Sequence, residues 1–109
     1  MTPEGKIKRK VKMVLQEFRL WHFFPGNNGM GKSGIPDIIC IVNGQFVGIE
    51  CKADPTKVPT LLQMKCGDEI KAAGGRWVLV RSDDDVLSLR TYLRLLTTKQ
   101  TRKEQHAGH

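Results

Sequence analysis

An Asn-Gly pair between two apolar runs is the feature that most constrains the fold of this chain. The stretch GIPDIICIVNGQFVGIECK at 34–52 predicts two β-strands, about 35–42 and 45–52, on either side of Asn43-Gly44. Asn-Gly is the preferred pair for a two-residue type I′ turn, because both turn residues need a positive φ. Such a turn sets the register of the hairpin, and hence the face on which every side chain lies.

Three charged residues, Asp37, Glu50 and Lys52, interrupt the apolar strands at the open end of this hairpin. The register predicts Asp37 directly opposite Glu50 with Lys52 on the same face, and Gly48 leaving space beside the acids. Two facing carboxylates repel each other, and a divalent cation such as Mg²⁺, which binds one or two carboxylates, would remove the conflict. A salt bridge between Lys52 and either acid explains the same residues, so the hairpin alone leaves both interpretations open.

The chain around the hairpin predicts one small α/β domain. Thr2 before Pro3 is typical of a helix N-terminus, and the apolar spacing continues that helix to about Trp21. A further strand and two more helices are predicted at about 76–81, 60–73 and 82–97. The hairpin strands are antiparallel, whereas the crossover helix makes the second and third strands parallel. We therefore expect a small mixed sheet flanked by helices, in the order α-β-β-α-β-α over residues 1–98, with a basic, flexible tail at 99–109.

Charge and hydropathy narrow the range of partners. The 109-residue chain carries a net charge of +7, with basic residues concentrated towards both ends. This excess favours a polyanion partner, above all nucleic acid, although a solvated basic face would look the same. No apolar run approaches the ~20 residues that span a bilayer, so we expect a cytoplasmic protein without a membrane partner. Cys40, Cys51 and Cys66 lie in apolar stretches without CxxC spacing, which favours reduced core residues over zinc ligands.

Residues 26–33, GNNGMGKS, match the phosphate-binding pattern G-x-x-x-x-G-K-[ST]. That pattern binds nucleotides when a strand precedes the loop and a helix follows it. Here a predicted helix precedes the loop and Pro36 leads into a strand. A nucleotide-hydrolysing site is therefore disfavoured and no nucleotide cofactor is expected, although Lys32 and Ser33 remain available for contact with a phosphate.

Glu4 is a fourth candidate for the charged cluster, because it lies on the apolar stripe of the first helix with Ile7 and Val11. Its side chain is predicted to point towards whatever this face packs against. The alternative is an acid that interacts only with the helix dipole and needs no function. Glu17 lies off the stripe and is expected at the surface.

Five pieces of sequence carry a family resemblance. In chain order they are Glu4 with Ile7 and Val11, GKSGIPD at 31–37, IECK at 49–52, Gln63 within TLLQ, and AAGGRWVLVRS at 72–82. Together they resemble the PD-(D/E)xK nuclease superfamily, and specifically its VRR-NUC branch of virus-type replication-repair nucleases. The bare D…ExK spacing occurs by chance, but the accompanying GxPD, glutamine and GG-strand make the resemblance specific.

The resemblance implies a restriction-endonuclease-like core with a metal-dependent nuclease site. It implies that Asp37 and Glu50 bind Mg²⁺ or Mn²⁺, together with the main-chain carbonyl of Cys51. Lys52 is then the catalytic lysine, and Glu4 completes the site directly or through water.

Gln63 has two interpretations. The resemblance implies that its amide orients the catalytic lysine or the attacking water. Thr60 and Gln63 also form the pattern of a capping box, which needs no catalytic role.

The same resemblance implies DNA as the substrate. The residues expected to hold its backbone, without reading its sequence, are Lys8, Lys12, Asn28, Lys32 and Ser33. Small stand-alone proteins of the family tend to act as homodimers on branched DNA, which implies a structure-selective endonuclease for substrates such as the four-way (Holliday) junction. A flap or single-strand nuclease, or a non-catalytic DNA-binding module of the same fold, are the alternatives.

Overall fold

A four-stranded mixed sheet with three helices forms the described part of the chain. The computed structural model describes residues 1–26 and 32–107, with side chains described as far as Thr98. The elements are α1 Pro3–Glu17, β1 His22–Phe23, β2 Ile38–Val42, β3 Gln45–Cys51, α2 Leu61–Ala72, β4 Arg76–Val80 and α3 Asp83–Ala107. The strands lie in the order β1-β2-β3-β4. Because β3 and β4 are parallel and the other neighbouring pairs antiparallel, the predicted mixed α/β architecture is confirmed.

The hairpin of β2 and β3 has the predicted register and turn. Val42 pairs with Gln45 beside the turn, and the pairing continues without interruption to Ile38. Asn43 and Gly44 have φ values of 53° and 78°, as a type I′ turn requires. β2 begins later than predicted, since the proline two residues before it has no N–H for a strand ladder.

The two faces of the sheet are covered by different helices. The main core packs α1 and α3 against one face, and its buried members are Ile7, Val11, Val14, Leu15, Ile38, Cys40, Val42, Val47, Ile49, Cys51, Val80, Val86, Leu89 and Leu93. Helix α2 covers the other face, where Ile70 and Pro36 pack over Gly48. A Cβ at Gly48 would lie 2.7 Å from the Pro36 side chain. The predicted open space beside the acids is therefore wrong, because these two side chains fill it.

Helix α1 ends at Glu17, earlier than predicted, because Arg19 adopts a left-handed φ of 53°. The N–H of Leu20 donates to the carbonyl of Leu15 at 3.1 Å, which closes the helix. Residues 22–23 are then free to pair with β2 as the edge strand β1, an additional strand that was not predicted.

Helix α3 begins at the predicted run of aspartates but continues beyond Thr97 to Ala107. Neither glycine nor proline occurs between these two residues, so the sequence contains no helix-stop signal there. The side chains of 99–107 lie outside the described residues, and a flexible tail at 99–109 stays a prediction. None of the helices in the described part of the chain is long and apolar enough to cross a membrane.

Candidate functional site

The predicted charged cluster lies at one end of the sheet, where β2 begins and β3 ends. Asp37 immediately precedes β2, and its Oδ2 accepts a 2.8 Å hydrogen bond from the main-chain N–H of Cys51. Continuation of the hairpin register places Glu50 opposite Asp37. Lys52 follows β3, with only 14% of its side chain exposed. The backbone of two paired strands thus brings these side chains together.

Glu50 is almost completely buried, with 1% of the residue exposed. Its Oε1 accepts a 2.9 Å hydrogen bond from the Gln63 amide and lies 4.0 Å from Lys52 Nζ. Its Oε2 is buried and has no hydrogen-bond partner among the described residues. Burial, followed by the facing Asp37, raises the pKa of Glu50 to about 8. When Glu50 is ionised, a buried oxygen without a partner is costly, and a bound cation would supply the missing interaction.

The N-terminus of α1 adds Glu4 and Lys8 to the cluster. Thr2 caps this helix by accepting a 3.0 Å hydrogen bond from a main-chain N–H in the first turn. Lys8 Nζ lies 3.2 Å from Glu4 Oε2 and 3.4 Å from Asp37 Oδ1, so its ammonium bridges the two acids. Burial lowers the pKa of Lys8, but Asp37 and Glu4 outweigh this effect and raise it. Glu4 also contributes to the raised pKa of Glu50, so its charge acts within the cluster.

Gln63 makes the contacts of a cap and a contact with the acidic cluster at the same time. Its Oε1 accepts a hydrogen bond from the Thr60 N–H at 2.8 Å, and its own N–H donates to Thr60 Oγ1 at 3.2 Å. The Nε2 of the same amide donates to Glu50 Oε1. Gln63 therefore contacts and orients an acid of the cluster, whereas the resemblance implies a contact with Lys52 or a water. Gln63 contacts Oε1 of Glu50, and Oε2 has no partner in the part of the chain that the structure describes.

Comparison with known proteins identifies the fold. No protein-family model and no curated protein matches the sequence. A solved structure described as "VRR_NUC domain" is similar over 82% of this chain and 95% of that chain, with a TM-score of 0.73 and 23% sequence identity. The fold is that of a VRR_NUC domain. The resemblance carried by the sequence motifs is therefore confirmed at the level of the fold.

The remaining residues expected to contact DNA differ in their exposure and in their contacts. Lys12 is exposed, with its Nζ 5.5 Å from the centre of a phenylalanine ring. Lys32 pairs with Glu69 at 2.5 Å, and Ser33 is exposed. Asn28 lies outside the described residues. Lys32 would have to exchange Glu69 for a phosphate in order to bind DNA.

Two other kinds of site find no support in the described residues. A strand, β1, precedes the 26–33 loop, but another strand follows where a phosphate-binding loop needs a helix. Cys40, Cys51 and Cys66 are free and buried as predicted, and burial raises the pKa of each thiol. No three His, Cys, Asp or Glu side chains in the described ranges form a metal site by themselves. A cation at Asp37 would therefore need main-chain, water or substrate oxygens in addition, as Mg²⁺ commonly does.

Lys8 lies inside the acidic cluster and not, as its sequence position suggests, on a separate DNA-binding surface. It is predicted to contact DNA, yet the structure places it between two acids of the cluster. Its position four residues after Glu4 is a signal for the pair within the helix. The contact with Asp37 depends on how α1 packs beside β2. Glu17 pairs with Arg90 at the surface, at 2.7 Å, as expected for an acid outside the site.

Proposed function

We propose that this protein is an endonuclease that hydrolyses phosphodiester bonds of DNA with Mg²⁺ or Mn²⁺. The observation that carries the proposal is the buried Oε2 of Glu50, which faces Asp37 and has no partner among the described residues. Burial of this acid is unfavourable for folding, and a strongly shifted pKa beside a lysine is typical of functional sites. The VRR_NUC fold supports a nuclease in general, and the D…ExK residues supply its chemistry.

Each member of the cluster has a role in this proposal. Asp37 and Glu50 would hold the cation with the main-chain carbonyl of Cys51, and Glu4 would join them directly or through water. When bound, a divalent cation lowers the pKa of a water and offsets charge on a phosphate. The Lys52 ammonium, shielded from solvent beside Glu50, stabilises the charge that develops on the phosphate or orients the attacking water.

An apolar surface beside the cluster supports branched DNA as the substrate. Val58, Leu61 and Leu62, which we call the apolar ridge, are 71%, 80% and 55% exposed. They lie in the stretch that leads from Lys52 to Gln63. Apolar side chains insert between bases at a cost of roughly a few kcal/mol per unstacked step, and this cost is smallest where stacking is already broken. The apolar ridge therefore favours junctions over linear duplex.

The backbone that carries the apolar ridge is held from both sides. Arg81 Nη1 donates to the main-chain carbonyls of Pro55 and Lys57, at 3.1 and 3.2 Å. At the other end, the capping box of Thr60 and Gln63 orders the first turn of α2. Apolar side chains that an ordered backbone keeps in solvent are typical of a partner-binding surface.

Replacing the ridge leucines tests the choice of substrate. We expect the double variant Leu61→Ser, Leu62→Ser to lower the preference for a four-way junction over linear duplex by roughly tenfold, with cleavage of the duplex little changed. The measurement is single-turnover cleavage of both substrates. Leu87→Ser is the matched control, because Leu87 is 60% exposed on α3. An equal loss on both substrates would contradict a role in selecting branched DNA.

A homodimer is the assembly that we propose for this activity. A two-fold dimer presents two sites to a substrate that is itself two-fold symmetric, so that paired cuts become possible. A flap or single-strand nuclease is the alternative within the same chemistry, since the apolar ridge suits any DNA with exposed bases. A non-catalytic DNA-binding module is the alternative without chemistry.

The direct test is incubation of the protein with labelled linear, flap and four-way-junction DNA, in Mg²⁺, Mn²⁺ or EDTA. We expect cleavage of the junction in either metal and none in EDTA, because the carboxylates alone cannot activate water. Binding without cleavage in both metals would favour the non-catalytic module. Cleavage of linear duplex as fast as the junction would retain the nuclease and remove the junction selectivity.

A further inference from the structure

Lys8 occupies the place in the acidic cluster where a positive charge is most needed. Its Nζ lies between Glu4 Oε2 and Asp37 Oδ1, at 3.2 and 3.4 Å. The hairpin register places a third acid, Glu50, opposite Asp37. Lys52 Nζ lies no nearer than 4.0 Å to Glu50 Oε1. In the protein as described, Lys8 therefore supplies the positive charge between Glu4 and Asp37.

The contacts of Lys8 are of a kind that a stronger cation can replace. Both distances are longer than the usual charge-assisted hydrogen bond of about 2.7–2.9 Å, and 35% of the Lys8 side chain is exposed. Ion pairs that are open to solvent contribute little to stability. Lys10 lies two residues further along the same helix. It pairs instead with Asp83 at 2.6 Å and takes no part in the cluster.

We propose that Lys8 is the resident cation of the metal-free site, which a divalent cation displaces from Glu4 and Asp37. The freed ammonium remains on α1 at the mouth of the cluster and binds a phosphate of the DNA. Lys8 thus serves in turn as counter-ion of the acids and as the DNA contact expected from the sequence. This inference rests on the metal site of the proposed function.

Displacement has a thermodynamic consequence for both ligands. A metal ion must compete with Lys8 for the two carboxylates, so Lys8 weakens metal binding in the absence of DNA. A phosphate that binds the freed ammonium assists metal binding, and by linkage the metal assists DNA binding to the same extent. Removal of the ammonium should abolish both the competition and this part of the coupling.

The first test is calorimetric titration of MgCl₂ or MnCl₂ into the DNA-free protein. Lys8→Met is expected to bind the metal about two- to thirtyfold more tightly than the wild type, the range that corresponds to two exposed ion pairs. Lys10→Met is the matched control, since it removes the same charge and one ion pair from the same helix, and it should change the affinity by less than about twofold. Lys8→Gln provides a second variant, and thermal melts establish that each protein is folded.

The second test is DNA binding in a Lys52→Ala background, where cleavage does not interfere. With Lys8 present, added Mg²⁺ should raise the affinity for a four-way junction, and Lys8→Met should reduce this increase by at least about threefold. An undiminished increase would overturn the transfer of Lys8 to a phosphate.

The outcomes separate this inference from the function on which it rests. If the wild type binds the metal and neither Lys8 variant binds it more tightly, the resident-cation role is overturned and the metal site stands. If the wild type binds neither Mg²⁺ nor Mn²⁺, the metal site itself is wrong and the role of Lys8 falls with it. Tighter binding by both Lys8 variants, with no change in Lys10→Met, supports the inference.

Discussion

Lys52→Ala is expected to lower the rate of DNA cleavage by at least about a hundredfold, while DNA binding changes only a few fold. Loss of one group that stabilises developing charge typically costs about 10²–10³ in rate. Lys52 is placed for that role, because its ammonium lies 4.0 Å from Glu50 Oε1 and its side chain is only 14% exposed. A contact with the DNA backbone at the surface would instead weaken binding and leave the chemical step unchanged.

The rate and the affinity must be measured separately to distinguish these cases. Single-turnover cleavage at saturating enzyme gives the rate, and binding in EDTA gives the affinity. Lys71→Ala is the control for loss of a positive charge, since Lys71 is exposed on α2 and pairs only with Asp68 among the salt bridges of the described residues. Cleavage by Lys52→Ala at nearly the wild-type rate would mean that Lys52 is only a salt-bridge partner of the acids.

Glu50→Gln is expected to stabilise the metal-free protein at alkaline pH, although it removes a proposed metal ligand. Burial and the facing Asp37 raise the pKa of Glu50 to about 8 in the folded protein, whereas an unfolded glutamate titrates near 4.3. Between these values the folded state holds a proton that the unfolded chain has lost, so the free energy of unfolding falls as pH rises. The slope approaches ~1.4 kcal/mol per pH unit within that window. Glutamine has no charge to bury at any pH, so the free energy of unfolding of the variant does not fall with pH for this reason.

Thermal melts of the two proteins in EDTA, at pH 5 and pH 8.5, check this prediction. The melting temperatures should nearly agree at pH 5, where Glu50 is protonated in the folded state, and differ by roughly 15 °C at pH 8.5, the shift that about 4 kcal/mol produces in a domain of this size. Glu17→Gln is the control, because a hydrogen bond from Arg90 lowers the pKa of Glu17 and its loss should cost a little stability at both pH values. A constant difference between wild type and Glu50→Gln at both pH values would show that the carboxyl is not buried as described.

The same melts test whether a metal ion offsets the loss of stability that ionisation of the buried Glu50 causes. Mg²⁺ should raise the melting temperature of the wild type at pH 8.5, because a ligand that binds only the folded state stabilises it. The effect should be much smaller in Glu50→Gln, which lacks the carboxylate. Equal stabilisation of both proteins by Mg²⁺ would place the cation elsewhere.

The sequence by itself determined the features that depend on neighbouring residues. Asn43-Gly44 specified a type I′ turn, and the turn specified which residues of β2 and β3 lie opposite each other. Thr2 and Thr60 marked the starts of two helices through side-chain contacts three residues along the chain. These signals are readable because turn angles and caps involve residues close together in sequence, whose preferences are set by their own chemistry.

Only the tertiary structure decided which side chains from different elements meet. Arg19 adopts a left-handed φ and ends α1, although no glycine in the sequence marks this position. The residues that follow can therefore pair with β2 as β1. Gln63 reaches Glu50 across the face that α2 covers, and Lys8 reaches Asp37 because α1 packs beside β2. The D…ExK spacing therefore identified the acids, but not the buried oxygen of Glu50 that has no partner among the described residues, nor the lysine that pairs with Asp37. Burial and charge compensation depend on every group nearby in space, and a linear pattern does not contain those distances.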